Sequence, residues 1–179
     1  MNILPISFSG KFTVSRRFDK KVEELLKRQK IDYIKEDDSI ESYHYDKKEL
    51  KEIVLKLING DNGKPSVRYM HYIWYPLICV DTKKINELFK KSPQYVGRGC
   101  DLIGKDKELY ENSVKCALCI STLDAPLIHI TENDKGKPEI YFERGKYDYA
   151  VMRDLRIKKI PISMDEKSIS LAKKHQLIN

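Results

Sequence analysis

Apolar and polar residues follow the most regular pattern between residues 124 and 163, where a strand-like pattern gives way to a helical one and then returns. Short apolar runs at 127–130 and 140–142 predict two strands, and the intervening DKGKP is typical of a tight turn. Apolar residues then recur every three to four positions over 149–155, which predicts a helix with one buried face. A last short strand is predicted at 160–162.

The same periodicities predict the elements on either side of this segment. Residues 66–81 alternate in the manner of one long strand or two linked strands, with aromatic residues on both faces. Glycine-rich residues 94–104 predict a connector, or else a loop that closes over a ligand. Amphipathic helices are predicted at 19–30, 46–58, 82–89, 105–121 and 165–179.

Length and composition indicate a globular chain with one main core. The chain has 179 residues, of which 41% are hydrophobic and 34% charged. We interpret residues 1–65 as an N-terminal strand and helix extension, and 66–179 as the main domain. No apolar run is long enough to span a membrane and no export signal is evident at the start, so we expect a cytoplasmic protein whose four cysteines are reduced.

The net charge of +7 and the pI near 9.1 are compatible with a polyanionic partner such as DNA. A lysine-rich composition without any such partner gives the same numbers. Two stretches, 16–30 and 153–159, carry basic faces that can hold a phosphate backbone or simply face solvent. The candidate nucleic-acid-binding residues are Arg16, Arg17, Lys20 and Arg98.

Gly145 stands at the predicted strand-to-helix junction, where it lets the backbone turn sharply. The first N–H groups of the following helix then have no partner within the helix, which makes its start a natural phosphate site. The alternative is a helix start with no ligand.

The segment around this junction resembles the ParB/sulfiredoxin-like family. The family motif, a strand followed by D-G-R-H-R-Y-A-A, a helix and I-P-V, is matched by residues 144–151 and 160–162. The preceding PLIHI resembles the family strand before the motif, and residues 75–81 resemble its opening strand. The resemblance implies an α/β (α+β) fold, with a small mixed sheet flanked by helices, and a nucleotide such as ATP or CTP bound at the helix start.

The resemblance also implies roles for the residues of the motif. Nucleotide phosphates would lie on Arg144, Gly145, Lys146 and Tyr147, while Glu143 and Asp148 would be catalytic, as a base or as ligands of a metal-bound water. This sequence has Asp148 where the family has its second arginine and Arg144 where it has an acid. An aspartate in the first helical turn repels phosphate, and a divalent ion such as Mg²⁺ beside the nucleotide would remove this repulsion.

Three functions remain open on this basis. The first is a nucleotide-binding protein that performs phosphoryl transfer or nucleotide hydrolysis linked to nucleic acid. The second is a DNA-binding nuclease or DNA-modifying enzyme, and the third is a non-enzymatic interaction protein that kept the fold and lost the site.

Two further features are weaker indications of a functional site. Cys116 and Cys119 form a CxxC, but no further ligand pair accompanies them, so we interpret them as structural cysteines and predict no metal site. His129 lies in the 127–130 strand, where it is either a core residue or a pocket residue; we expect the core.

Overall fold

The structure is a computed structural model of the chain, and it describes residues 12–14, 33–35, 45–60, 64–66, 69–70 and 74–178. The chain divides into two compact units, Met1–Leu50 and Lys51–Asn179. The first unit contains a parallel pair of short strands, β1 (Phe12–Val14) and β2 (Tyr33–Lys35). The predicted helix at 19–30, with Arg16, Arg17 and Lys20, lies outside the described residues. The predicted division at 65/66 stays a prediction.

Five α-helices and six further strands make up the rest of the described chain. The helices are α1 (Lys47–Asn59), α2 (Thr82–Phe89), α3 (Gly104–Ile120), α4 (Lys146–Asp154) and α5 (Glu166–Lys174). The strands are β3 (Tyr69–Met70), β4 (Leu77–Asp81), β5 (Leu123–Asp124), β6 (Leu127–Glu132), β7 (Pro138–Arg144) and β8 (Lys159–Met164).

The central sheet is mixed and has the strand order β4-β8-β6-β7. Its neighbours are antiparallel except for β6 and β8, which run parallel. This arrangement confirms the predicted α+β class. Residues 66–81 do not form one strand, because β3 pairs with β5 in a separate two-stranded sheet whereas β4 pairs with β8.

Aromatic rings join α2 and α4 to one face of the sheet. The centre of the Phe89 ring on α2 lies 4.4 Å from the centre of the Phe142 ring on β7. The centre of the Tyr149 ring on α4 lies 5.2 Å from that of Phe142. All three side chains are buried. This packing fixes the position of α4, and with it the turn that precedes the helix, relative to the sheet.

The loop between α2 and α3 is tied to both β7 and α4. The side-chain amide of Gln94 donates to the carbonyl of Phe142 and accepts from its N–H, as a neighbouring strand would do. Arg153 donates to the carbonyls of Val96 and Gly97 at 2.7 and 2.6 Å. We therefore find a connector anchored at several points, and Arg153 is used within the fold instead of on a DNA-facing surface.

No described helix is long and apolar enough to cross a membrane. This agrees with the absence of a long apolar run in the sequence.

Candidate functional site

The candidate site begins at the turn from β7 into α4. Gly145 at this turn has left-handed backbone angles, φ 69° and ψ 21°. A Cβ atom at this position would lie 2.9 Å from the Cα atom of Pro126, closer than real Cβ contacts allow. Two features therefore require glycine at this position: the left-handed backbone angles and the close approach of the chain at Pro126.

The start of α4 lies beside the start of α3. The hydroxyl of Tyr147, in the first turn of α4, donates to Oδ1 of Asp106, in the first turn of α3, at 2.5 Å. Burial and the nearby Asp106 carboxylate raise the pKa of Tyr147 to about 12, so the phenol stays a donor at neutral pH. In the described part of the chain, neither helix has a side-chain cap at its N-cap residue, Ile103 or Gly145.

Lys146 is the first residue of α4 and brings a positive charge to this helix start. Its amino group lies 4.8 Å from the centre of the Tyr147 ring, and its side chain is half-buried. The aromatic ring limits where the ammonium group can go, since the face of the ring attracts a cation.

Asp148 turns towards the interior, against α3 and β5. Burial and then repulsion by Asp124 raise the pKa of its carboxyl to about 6, although hydrogen bonds from the Ser113 hydroxyl and from backbone N–H groups oppose the rise. Asp148 is thus close to half-protonated near pH 6, which is the range in which a carboxyl serves as an acid or a base.

A second polar cluster surrounds His129 on β6. Its Nδ1 lies 2.8 Å from Oδ2 of Asp165, and its Nε2 lies 2.8 Å from Oε2 of Glu143. A neutral imidazole has a single N–H, so only the protonated ring donates both bonds. Burial lowers the pKa of His129, but the hydrogen bonds that the ring donates to the Glu143 and Asp165 carboxylates outweigh that effect and the pKa is raised.

Strand alternation places Glu143 in this cluster. His129 pairs with Tyr141, and Glu143 follows two residues later on the same face of β7. The bulge in the pairing, where Ile128 pairs with Phe142 and Leu127 with Arg144, changes the face only of the residues beyond Glu143. His129 itself is half-buried, and the expectation that it is a core residue is wrong.

Replacing His129 by glutamine should destabilise the protein more at pH 5.5 than at pH 8.5. A raised pKa in the folded state means that the stabilisation is complete below the ordinary value of about 6.5 and is lost as the pH rises through the folded-state pKa. We expect the loss in free energy of unfolding to differ by less than about 1 kcal/mol between the two pH values, since both carboxylates are partly exposed. Urea unfolding at the two pH values measures the difference, and an equal loss at both would contradict the protonated ring.

Comparison with known proteins adds little to this geometry. No family model and no curated protein matches the chain. One solved structure is similar. It is the crystal structure of an oncogenic suppression activity protein, described as a plasmid fertility inhibition factor, in a gold(I) cyanide derivative. The identity is 13%, the TM-score is 0.42, and the matched region spans 55% of each chain.

The predicted site residues fall into separate places. Arg144, Gly145, Lys146 and Tyr147 are contiguous at the β7–α4 turn, as their sequence positions require. The two predicted catalytic residues belong to different clusters, because Glu143 bonds to His129 while Asp148 lies against Ser113 and Asp124.

Arg98, the fourth candidate for nucleic-acid binding, is exposed and precedes a short 3-10 turn at Gly99–Asp101. Its carbonyl accepts from the N–H of Asp101 at 2.8 Å. Its role in nucleic-acid binding stays a prediction.

Sequence reasoning assigned no site role to several residues that complete these clusters. They are Asp106, Ser113, Asp124 and Asp165. Of these, only Asp165 stands out in the sequence, because it precedes an amphipathic segment as a helix cap would. In the structure its carboxylate accepts from the N–H of Ser168 at 2.6 Å. The other three have no local signature, because their partners lie 24 to 41 residues away along the chain.

The cysteines are free thiols in the structure. Burial raises the pKa of Cys119 to about 11, and partial burial together with the Asp148 and Asp124 carboxylates raises that of the more exposed Cys116. Both are therefore protonated at neutral pH, which disfavours thiolate chemistry. Cys116 is exposed, so the expectation that both pack in the interior holds only for the half-buried Cys119.

Proposed function

We propose that the chain binds a nucleoside triphosphate at the adjacent starts of α3 and α4, and that it transfers or hydrolyses the terminal phosphate. The observation that carries the proposal is the contact between the first turns of the two helices through Tyr147 and Asp106. Two uncapped helix starts side by side offer N–H groups and two positive dipole ends to one anion. The resemblance to ParB/sulfiredoxin-like proteins implies the same class of ligand.

The charges around the two helix starts support an anionic ligand. Lys105 and Lys146 lie in the first turns of α3 and α4, respectively. Asp106 is the opposing charge, but its carboxylate is engaged by the Tyr147 hydroxyl. Lysine suits this role because its ammonium group on a flexible stem can follow a phosphate.

The orientation of Asp148 removes the main objection to a phosphate at this place. An aspartate in the first turn of α4 would repel the ligand if it faced outwards. Here the carboxyl faces Ser113 and Asp124 instead of the ligand. We assign to Asp148 the role of acid or base, because a carboxyl with a pKa of about 6 can take up or release a proton near neutral pH.

The oxygen donors at this place suit magnesium. Mg²⁺ in nucleotide sites is commonly held by one or two carboxylates together with the phosphates of the ligand. The described residues contain no group of three or more histidine, cysteine or acidic side chains placed to hold a metal ion. Most oxygen ligands of Mg²⁺ would therefore come from the nucleotide and water.

Replacing Lys146 by alanine should weaken nucleotide binding by roughly 10- to 150-fold, since a hydrogen bond between charged groups contributes roughly 1.5–3 kcal/mol. The measurement is calorimetric titration with ATP, CTP and ADP, each with and without Mg²⁺. We expect binding that strengthens with Mg²⁺ in the unmodified chain.

Lys167→Ala is the matched control. Lys167 is an exposed lysine in the first turn of α5, a helix whose start is capped by the Asp165 carboxylate. The control should bind as the unmodified chain does. An absence of heat with every nucleotide, or equal affinity in Lys146→Ala, would overturn the proposal and leave the non-enzymatic interpretation.

A further inference from the structure

Three segments that are distant in the sequence meet at one end of the central sheet. The N–H of Thr82, at the start of α2, donates to the carbonyl of Lys158 at 3.0 Å. In the strand pair next to it, Asp81 lies opposite Lys159. The amino group of Lys84 donates to the carbonyl of Gln176, beyond the end of α5, at 2.6 Å. Residues 81–84, 156–159 and 173–176 therefore form one continuous surface, which we call the basic surface.

The charge of the basic surface is almost entirely positive. Its one acidic residue is Asp81, which caps α2 by accepting from the N–H groups of Lys83 and Lys84. Nearby acids are already paired, since Glu132 contacts Lys174 and His175. The exposed cations are Lys83, Lys84, Arg156, Lys158, Lys159 and Lys173, together with Lys174, which contacts Glu132.

We propose that the basic surface binds the phosphate backbone of a nucleic-acid duplex without reading its sequence. Exposed lysines that converge from three segments neutralise several phosphates and release the counterions condensed on the duplex. The surface is separate from the nucleotide site, because its residues lie around the start of α2, in the segment that leads into β8 and at the end of α5 instead of at the starts of α3 and α4.

The apolar residues of this region argue against an anionic membrane as the partner. A helix that lies on a membrane inserts apolar side chains beside its basic residues. In the basic surface the apolar side chain is Ile157, which is buried, as is Ile85 just beyond it. A single strand is also a poorer fit, since such sites stack bases on aromatic rings and the three segments contain no phenylalanine, tyrosine or tryptophan.

The test is fluorescence anisotropy of the full chain with two labelled 20-base-pair DNA duplexes of unrelated sequence, between 50 and 200 mM salt. The unmodified chain should bind both duplexes equally, and binding should weaken steeply with salt. The variant Lys83→Glu/Lys158→Glu/Lys159→Glu should lose at least about thirtyfold in affinity, and the slope of log affinity against log salt should fall by about three. Lys84 is left intact because it bonds to Gln176.

The matched control is Lys135→Glu/Lys137→Glu/Lys167→Glu, which changes the net charge equally at exposed lysines elsewhere. It should bind within about threefold of the unmodified chain. Equal weakening in both triple variants would show that net charge alone attracts DNA and would overturn the proposal. Binding to vesicles of phosphatidylserine and phosphatidylcholine without binding to either duplex would also overturn it.

Lys146→Ala separates this proposal from the nucleotide site. It should leave duplex affinity unchanged, because Lys146 lies at the start of α4 and outside the basic surface. A loss of duplex binding in Lys146→Ala would show that the duplex lies on the nucleotide site, and this too would overturn the proposal.

Discussion

Asp148→Asn is expected to stabilise the protein at pH 8 by about 2–3 kcal/mol and to have little effect at pH 4. Burial and the charge of Asp124 raise the pKa of the carboxyl from 3.8 to about 6, so its ionisation opposes folding. The penalty is small below about pH 4, grows between the ordinary pKa of 3.8 and the folded-state pKa of about 6, and is complete above pH 7, at about 1.4 kcal/mol for each pKa unit. Asparagine has a similar shape but no charge. Urea unfolding at pH 4, 6 and 8 measures the effect.

Asp134→Asn provides the control for this experiment. Asp134 is exposed in the turn between β6 and β7, so its replacement should change stability little at any of the three pH values. A gain from Asp148→Asn that does not depend on pH, or a loss at pH 8, would contradict the interpretation that a buried charge is being removed.

Gly145→Ala is expected to destabilise the protein by about 3 kcal/mol. Left-handed backbone angles alone cost alanine about 1 kcal/mol relative to glycine. The added Cβ would also lie 2.9 Å from the Cα atom of Pro126, which is a backbone atom and cannot move aside as a flexible side chain would. The change in free energy of unfolding in urea at pH 7 is the measurement.

Gly136→Ala is the control that separates the steric contribution of the added Cβ from the backbone contribution. Gly136 has a similar φ of 66°, but no atom lies within 4 Å of the position of an added Cβ. It should therefore cost only the backbone contribution of about 1 kcal/mol. Equal losses in the two variants would mean that the approach of Pro126 to Gly145 has no energetic weight.

These two expected results bear on function because both concern the turn from β7 into α4. A buried carboxyl that lowers stability at neutral pH is unusual unless its chemistry is used, since active sites often retain groups that oppose folding. Gly145 forms the turn into α4, the helix that carries Asp148. The proposed nucleotide site therefore depends on a turn that only glycine fits and on an acid with a raised pKa.

Secondary structure was predictable from the sequence wherever the signal was local. Helix α1 and the hairpin of β6 and β7 occur where the spacing of apolar residues and the turn sequence predicted them. Asp81 and Asp165 cap α2 and α5, as aspartates at the starts of apolar periodic segments should. The division of 66–81 was not predictable, because β3 and β4 find their partners in strands 54 and 82 residues further on.

The sequence by itself determined the order of the elements, the sharp turn at Gly145 and the excess of positive charge, because these depend on residues close together in the chain. Only the tertiary structure decided which way Asp148 faces, that His129 lies between Glu143 and Asp165, and that three basic segments meet at one end of the sheet. Each of these facts depends on contacts across distant segments, which follow from how helices and strands pack and not from the pattern within any one of them.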